Sequence, residues 1–289
     1  MKRLLPVLVS LLALSACGRL DALPFNPPQT PQTWLLIQPF MSIHLGTHAI
    51  ILIQPSTSAI VYLLGILASG FGLYFLKTRL GQRSRLWWGI ALILWGVGAL
   101  LAGTSYEAFS YAIKCAGREA CLWTSWWEIG YLLVSVWSID AMVIAGAWSC
   151  SVGKGRKALI AYALTNAATY LVVVLFGVFL PAKFLISFEL LLIVSTPGIL
   201  ALFVLNLLRY IKFKNSMDLV MLGAWVWLGI TIVAYFLYYI SGLTQILWVK
   251  GIWFSENDVL HIGLILWMLY LAFIVAPLVS DNILINENL

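Results

Sequence analysis

Seven apolar runs of about 20 residues follow one another along the chain, separated by short polar loops. They cover residues 57–77, 86–106, 124–148, 157–180, 184–208, 217–241 and 257–279. A helix of about 20 apolar residues is long enough to cross a bilayer. The runs leave no room for a separate soluble domain. We therefore predict an all-α, polytopic membrane protein, with a bundle of seven transmembrane helices over residues 57–281.

The first 17 residues have the pattern of a secretory signal peptide. Lys2 and Arg3 precede a short apolar stretch that ends at Leu14. The Leu-Ser-Ala-Cys sequence that closes the segment resembles the bacterial lipobox, which implies that Cys17 becomes the lipid-modified first residue of the mature chain. The alternative is an uncleaved signal anchor with a chance cysteine.

Residues 18–56 are expected to lie outside the membrane, between the signal and the bundle. Residues 18–33 are polar and rich in proline, which predicts an extended tether. Residues 34–54 are apolar but interrupted by Pro39 and Gly46, so we predict an interfacial segment rather than an eighth span.

Two histidines in this segment, His44 and His48, are four residues apart. On a helix this spacing lets two imidazoles share a metal ion. Gly46 lies between them and disfavours a helix, so a structural or interfacial role is the stronger interpretation.

Basic residues divide unequally between the loops, and the loops after the first, third and fifth runs hold most of them. These are Lys77, Arg79, Arg83, Arg85, Lys154, Arg156, Lys157, Arg209, Lys212 and Lys214. By the positive-inside rule these loops are cytoplasmic. The mature N-terminus is then outside, and residues 282–289 form a cytoplasmic tail. We predict a bacterial inner-membrane protein whose partners are membrane lipids; the net charge of +6 is explained by these loops and does not indicate nucleic-acid binding.

Cys115 and Cys121 share the loop between the second and third runs, which the charge pattern places outside. Cysteines in an oxidising compartment form disulfides, and this pair is predicted to do so. A zinc pair is the alternative, although its ligands are usually more closely spaced. Cys150, at the other end of the third run, is expected to be a free thiol.

Five ionisable residues lie at one predicted depth, near the outer ends of four runs. They are Glu107, Glu128, Glu189, Asp258 and His261. An ionisable group in hydrocarbon costs several kcal/mol unless it is paired, hydrated or bound to a metal. The sequence therefore predicts a polar pocket at this level of the bilayer.

Three of these residues are predicted metal ligands: Glu107, Asp258 and His261. Asp258 and His261 are three apart and share one helix face. Carboxylates with an imidazole suit zinc or another divalent ion. The plainer alternatives are that Glu107 is an ordinary carboxylate at a loop edge, and that Asp258 faces the dipole of its own helix.

The remaining candidates are predicted to be catalytic. Glu128 or Glu189 would act as general base for a bound water. Ser105 would orient that water or stabilise an oxyanion.

The sequence also resembles a known superfamily. Gly-Thr-Ser-Tyr-Glu closes the second run at Glu107, and Asn257-Asp258-x-x-His261 opens the seventh. With seven runs, this pattern resembles the CREST superfamily of membrane hydrolases, which includes alkaline ceramidases and the progestin and adiponectin receptors, and especially its uncharacterised bacterial relatives. The resemblance covers about residues 57–281 and implies a seven-helix fold with a hydrolytic zinc site.

The chain departs from that superfamily at the implied zinc ligands. The family has a Ser and a His in span two, an Asp in span three and two His four apart in span seven, and the three His bind zinc. Glu107 stands in place of the span-two His, Ile265 in place of the second His of span seven, and Glu128 in place of the Asp. The resemblance then implies either a divergent, carboxylate-rich site or a member that has lost catalysis.

Three functions are compatible with these features. The first is a metal-dependent hydrolase of lipid amide or ester bonds, with its site near the periplasmic face. The second is a non-enzymatic membrane sensor or lipid-binding, receptor-like protein. The third is a small transporter, which is less favoured because the chain shows no inverted repeats.

Overall fold

The structure, a computed structural model, describes residues 19–46 and 48–282. Within this part of the chain the helices are α1 (Pro31–Leu36), α2 (Pro55–Lys77), α3 (Arg83–Ala102), α4 (Ser110–Lys114), α5 (Trp126–Cys150), α6 (Gly153–Phe179), α7 (Phe188–Phe213), α8 (Ser216–Ser241), α9 (Leu243–Val249) and α10 (Glu256–Tyr270). Seven of them are long and apolar enough to cross a membrane, which confirms the predicted bundle. The predicted signal peptide and Cys17 lie outside the described residues.

Two of the long helices end in π-helical turns. Helix α3 continues into Gly103–Ala108, and α10 continues into Leu271–Val275. A π turn inserts an extra residue and changes the direction in which the following side chains point, and such turns occur often at functional sites. The first of them carries two of the predicted site residues, Ser105 and Glu107.

Short polar signals fix where the long helices begin. The Ser187 hydroxyl accepts a hydrogen bond from the backbone N–H of Leu190 at the start of α7, and the Asn215 side chain accepts one from Met217 at the start of α8. Such caps satisfy N–H groups that have no partner within the helix. The second cap follows a connection of only two residues between α7 and α8.

Helix α5 lies at the centre of the bundle. In its most apolar stretch 67 % of the residues are buried, against 17 % in the peripheral helix α6. It packs on α3, α6 and α7, while α2 packs on α3 and α10 packs on α2 and α8. Helices α2 and α3 approach so closely that a Cβ on Gly72 would lie 2.8 Å from the Gly89 carbonyl oxygen, which explains the small residues there.

The long helices alternate in direction, so their ends form two opposite faces. We call one the site end: it holds the first residues of α2, α5, α7 and α10 and the last residues of α3. The other is the far end. All five ionisable residues predicted to share one depth belong to helix termini at the site end.

The chain before the first span packs over the site end. Leu20 and Leu23 are buried in a cluster with residues of α5, α6 and α7. The backbone N–H of Cys121 donates to the Gln29 carbonyl at 2.7 Å, and that of Trp123 donates to the Leu23 carbonyl at 2.9 Å. The structure thus corrects the predicted extended tether: a few apolar side chains anchor a segment whose composition is otherwise polar.

A β-hairpin follows, formed by antiparallel strands β1 (Phe40–Leu45) and β2 (His48–Ile53). It is neither an eighth span nor a helix. Gly46 turns the chain with a φ of +64°, a conformation that glycine adopts without strain. His44 is exposed and pairs with Ala49 in the ladder, so a helical pair of imidazoles four residues apart is not formed; the His48 side chain is outside the described residues.

Candidate functional site

The π-helical turn at the end of α3 directs Ser105 and Glu107 to different neighbours. Both side chains are buried. Ser105 contacts α5, whereas Glu107 faces α10. Gly103 is the first residue of this turn. A Cβ on it would lie 2.3 Å from a side-chain carbon of Val61, so the close contact of α2 with the turn requires a glycine here.

Glu107 and His261 meet across the interface of the π turn with α10. The Oε1 atom of Glu107 lies 4.0 Å from Nδ1 of His261, and both residues are at most 9 % exposed. Within the described part of the chain, Oε2 of Glu107 and Nδ1 of His261 have no hydrogen-bond partner. A buried polar atom without a partner costs about 1–3 kcal/mol. These two atoms are therefore available to a ligand.

Asp258 lies one turn before His261 on α10 and is fully buried. Its Oδ2 atom accepts hydrogen bonds from the backbone N–H of Ser255 at 2.6 Å, from the Ser255 hydroxyl at 3.1 Å and from the Thr57 hydroxyl at 3.0 Å. That oxygen caps the start of α10, as the plainer interpretation of Asp258 predicts. Its Oδ1 atom has no partner among the described residues, so one oxygen is structural and the other is free.

The predicted metal ligands fit a divalent ion by chemistry but do not form a complete arrangement. Glu107, Asp258 and His261 each present one buried donor atom without a partner. Two carboxylates and an imidazole are a donor set typical of zinc. No group of three or more His, Cys, Asp or Glu in the described ranges is arranged to hold a metal. The one ion-pair contact recorded among these three side chains joins Glu107 to His261, and zinc or another divalent metal stays a prediction.

Glu128 belongs to a second buried cluster beside the first. The Ser105 hydroxyl donates to its Oε1 atom at 2.8 Å and lies 2.6 Å from the Ser125 hydroxyl. The Lys114 ammonium forms an ion pair with the same carboxylate. Oε1 of Glu128 thus contacts both a hydroxyl and a cation, and its role as general base stays a prediction.

Lys114 is a site residue that the sequence did not reveal. In the sequence it is one basic residue of an outer loop, yet in the structure it is only 2 % exposed. Its Nζ atom lies 4.9 Å from the ring centre of Tyr106 and 5.8 Å from that of Trp34, in the range of cation–π contacts. The sequence offers one indication that Lys114 is held in place: it precedes Cys115, whose disulfide with Cys121 constrains this loop.

Glu189 does not join the pocket. Helix α7 begins at Phe188, four residues later than the apolar run predicts, so Glu189 lies in the first turn and is exposed. A carboxylate there is stabilised by the N-terminal end of the helix dipole. The prediction that Glu189 lines the pocket is therefore corrected: the apolar residues before α7 form a separate 3-10 turn, Lys183–Ile186.

An apolar cavity of about 240 Å³ extends from His261 into the bundle. It lies between α2, α3, α5, α7, α8 and α10, and its walls are mainly aliphatic and aromatic side chains. Ser195 contributes a buried hydroxyl that has no partner among the described residues. His261 is thus shared by the polar pair and the apolar cavity.

No protein-family model, curated protein or solved structure matches this chain. The resemblance to the CREST superfamily therefore rests only on the residues named above, and it stays a prediction.

Proposed function

We propose that this protein is a membrane hydrolase that cleaves an amide or ester bond of a lipid at the site end of the bundle. One observation carries the proposal: Glu107 and His261 are buried with unpartnered atoms, and His261 also lines an apolar cavity. A lipid chain in that cavity would bring its polar end to the imidazole. Buried polar groups of this kind beside an apolar pocket are typical of small-molecule sites.

The two site residues divide the proton transfers between them. Glu107 has an oxygen without a donor and takes a proton from the attacking water. The water oxygen bonds to the acyl carbon, and the bond from that carbon to the amine or alcohol breaks as protonated His261 donates a proton to the leaving group. The proton on Glu107 then passes to His261, 4.0 Å away, which restores the pair. Ser105 and Glu128 bind each other, so they hold the π turn and take no part in the transfers.

A divalent ion would be held by Glu107, His261 and the free oxygen of Asp258. Bound there, it would polarise the scissile carbonyl and activate a water.

The test is cleavage of a panel of fluorescent N-acyl and O-acyl lipids by the purified protein, with its metal content measured before and after chelation. We expect Glu107→Gln and His261→Gln to reduce cleavage by about 100-fold or more, since acid–base groups contribute factors of this size. Glu119→Gln is the matched control, because Glu119 is exposed in the outer loop. Cleavage that both site variants retain would contradict the proposal.

A lipid-binding protein without catalysis is the second candidate, and the cavity together with the incomplete ligand group favours it. In that case native mass spectrometry would find a lipid bound to the wild-type protein, no product would form, and His261→Gln would lower lipid occupancy. A transporter, in contrast, would require activity that depends on an ion gradient.

The proposed location is the bacterial inner membrane, with the site end facing the periplasm. The basic loops lie at the far end, and the disulfide lies at the site end. The Arg19 guanidinium donates to the Phe179 carbonyl at 2.6 Å, which anchors the first described residues at the site end. A reporter fused after Leu289 should be cytoplasmic, and labelled palmitate should enter the wild-type chain but not Cys17→Ala.

A further inference from the structure

Another carboxyl with an unpartnered oxygen lies in the middle of the bundle, away from the candidate site. Asp140 is on α5, about 21 Å from the first residue of that helix and about 15 Å from the last at 1.5 Å per residue. It is 4 % exposed. At this depth an ionisable side chain is expensive and suggests a function.

One oxygen of this carboxyl is held and the other is free. The Asn166 side chain on α6 donates to Oδ1 of Asp140 at 3.0 Å. Oδ2 is buried and has no partner in the described residues. An ionised carboxylate with a single hydrogen bond from a neutral amide is poorly compensated in an apolar interior. A proton on Oδ2 removes the charge and leaves the Asn166 contact in place.

No charged partner is available to this carboxyl. Among the described residues, no lysine, arginine or histidine forms an ion pair with it. Tyr162 and Tyr170 lie one turn to either side of Asn166 and are the titratable groups that α6 offers on this face. The other neighbouring helices have no titratable side chain in residues 86–105 of α3 or 190–208 of α7.

We propose that Asp140 is a proton-binding site in the middle of the bilayer, which carries an exchangeable proton on Oδ2 while Asn166 holds its other oxygen. The cavity beside His261 is lined by Ile139 but not by Asp140, so it offers Asp140 no space for a larger ligand. A proton needs no cavity, and we therefore take the ligand to be a proton. Loss of this proton would leave an uncompensated charge between α5 and α6. Their only other side-chain hydrogen bond within the described ranges joins the Trp137 indole to the Ala167 carbonyl at 3.3 Å, so this helix contact would respond to protonation.

The experiment measures the protonation of Asp140 in the full chain reconstituted in lipid nanodiscs. Dicyclohexylcarbodiimide, an apolar reagent, modifies protonated carboxyls in membranes, and peptide mass spectrometry locates the label. Infrared difference spectra between wild type and Asp140→Asn report the carboxylic-acid carbonyl band without any reagent. Asn166→Leu is the second variant, since it removes the donor to Oδ1, and unfolding of both variants is followed to show that they are folded.

At about pH 6 we expect both the carbodiimide label on Asp140 and its carboxylic-acid carbonyl band. Both should fall by about tenfold as the pH is raised to about 10, which is several units above the usual pKa range of aspartate. Asn166→Leu should move the loss to higher pH, because it removes a hydrogen bond that stabilises the ionised form. Signals that do not change with pH would mean a permanently neutral structural group, and no carboxylic-acid band at any pH would mean an ionised one. Suppression by sodium at constant pH would mean a sodium site. Each of these three results would overturn the proposal, whatever the outcome for the hydrolase.

Discussion

Two buried polar clusters, Asp218 with its partners at the far end and Glu107 with His261 at the site end, differ in how completely their polar atoms are paired. At the far end, Asp218 is fully buried and accepts hydrogen bonds from Arg209 at 3.1 and 3.2 Å and from Asn206 at 3.0 Å. Asn206 in turn accepts from the Trp225 indole, and Arg209 also donates to the Cys150 carbonyl. Every charge in this cluster has a partner.

At the site end, Glu107 and His261 are buried to a similar extent, yet each keeps an atom without a partner. Stability alone would favour replacing such a pair, because an uncompensated buried polar group lowers the free energy of unfolding. Burial of charge therefore does not by itself indicate function in this protein. The distinguishing feature is unused hydrogen-bonding capacity, and the variants below test it.

The largest expected effect is at the far end. Asp218→Asn leaves Arg209 without its carboxylate, and breaking a buried ion pair in this way costs about 3–5 kcal/mol. The measurement is denaturant unfolding in detergent micelles. Asp281→Asn is the matched control at the same end. Asp281 is partly exposed and accepts one hydrogen bond at each oxygen, from the N–H groups of Arg83 and Ser84, so the amide keeps one acceptor and a loss of only about 1 kcal/mol is expected. If both variants have the same free energy of unfolding, the Asp218 cluster does not stabilise the fold.

Lys114→Met should have the next largest effect. It removes the cation from Glu128, which keeps a hydrogen bond from Ser105. Because that hydrogen bond still compensates part of the charge, we expect a loss of about 3 kcal/mol, at the lower end of the range for breaking a buried ion pair. The double variant Lys114→Met/Glu128→Gln removes both charges and should recover at least half of the loss. Additive losses would contradict a direct ion pair.

The seven spans and the level of the site were predictable because apolar run length and alternating loop charge are local properties of the sequence. Helix direction predicted that Glu107 and His261 share one depth, but it did not determine that the second and seventh spans bring these two side chains together. Lys114 and Asp218 could not be found in this way, because a basic or acidic residue beside a helix end is ambiguous: solvated and buried forms have the same local sequence. Glu189 was misplaced for a related reason, since the apolar run did not show where α7 begins.

Removal of the disulfide should have a smaller effect. Cys115→Ser/Cys121→Ser releases a short loop, for which about 2 kcal/mol of stabilisation is expected. The loop carries Lys114, so the loss should be less than additive with that of Lys114→Met. Unfolding is measured for the two variants and their combination. Strict additivity would show that the disulfide and the ion pair hold the loop independently.

The smallest expected change in stability is at the candidate site. Glu107→Gln keeps the shape of the side chain and removes an acidic group whose Oε2 atom has no hydrogen-bond partner among the described residues. Because no hydrogen bond to this group is lost, the free energy of unfolding should stay the same or rise by about 1 kcal/mol. Asp218→Asn is the same chemical change of carboxylate to amide and is expected to have the opposite effect. The two variants are compared in one unfolding series, together with lipid cleavage. If Glu107→Gln unfolds as easily as Asp218→Asn, then Glu107 has a structural partner and its free oxygen is not a binding site; if it is stable but inactive, its unpaired oxygen is used for function.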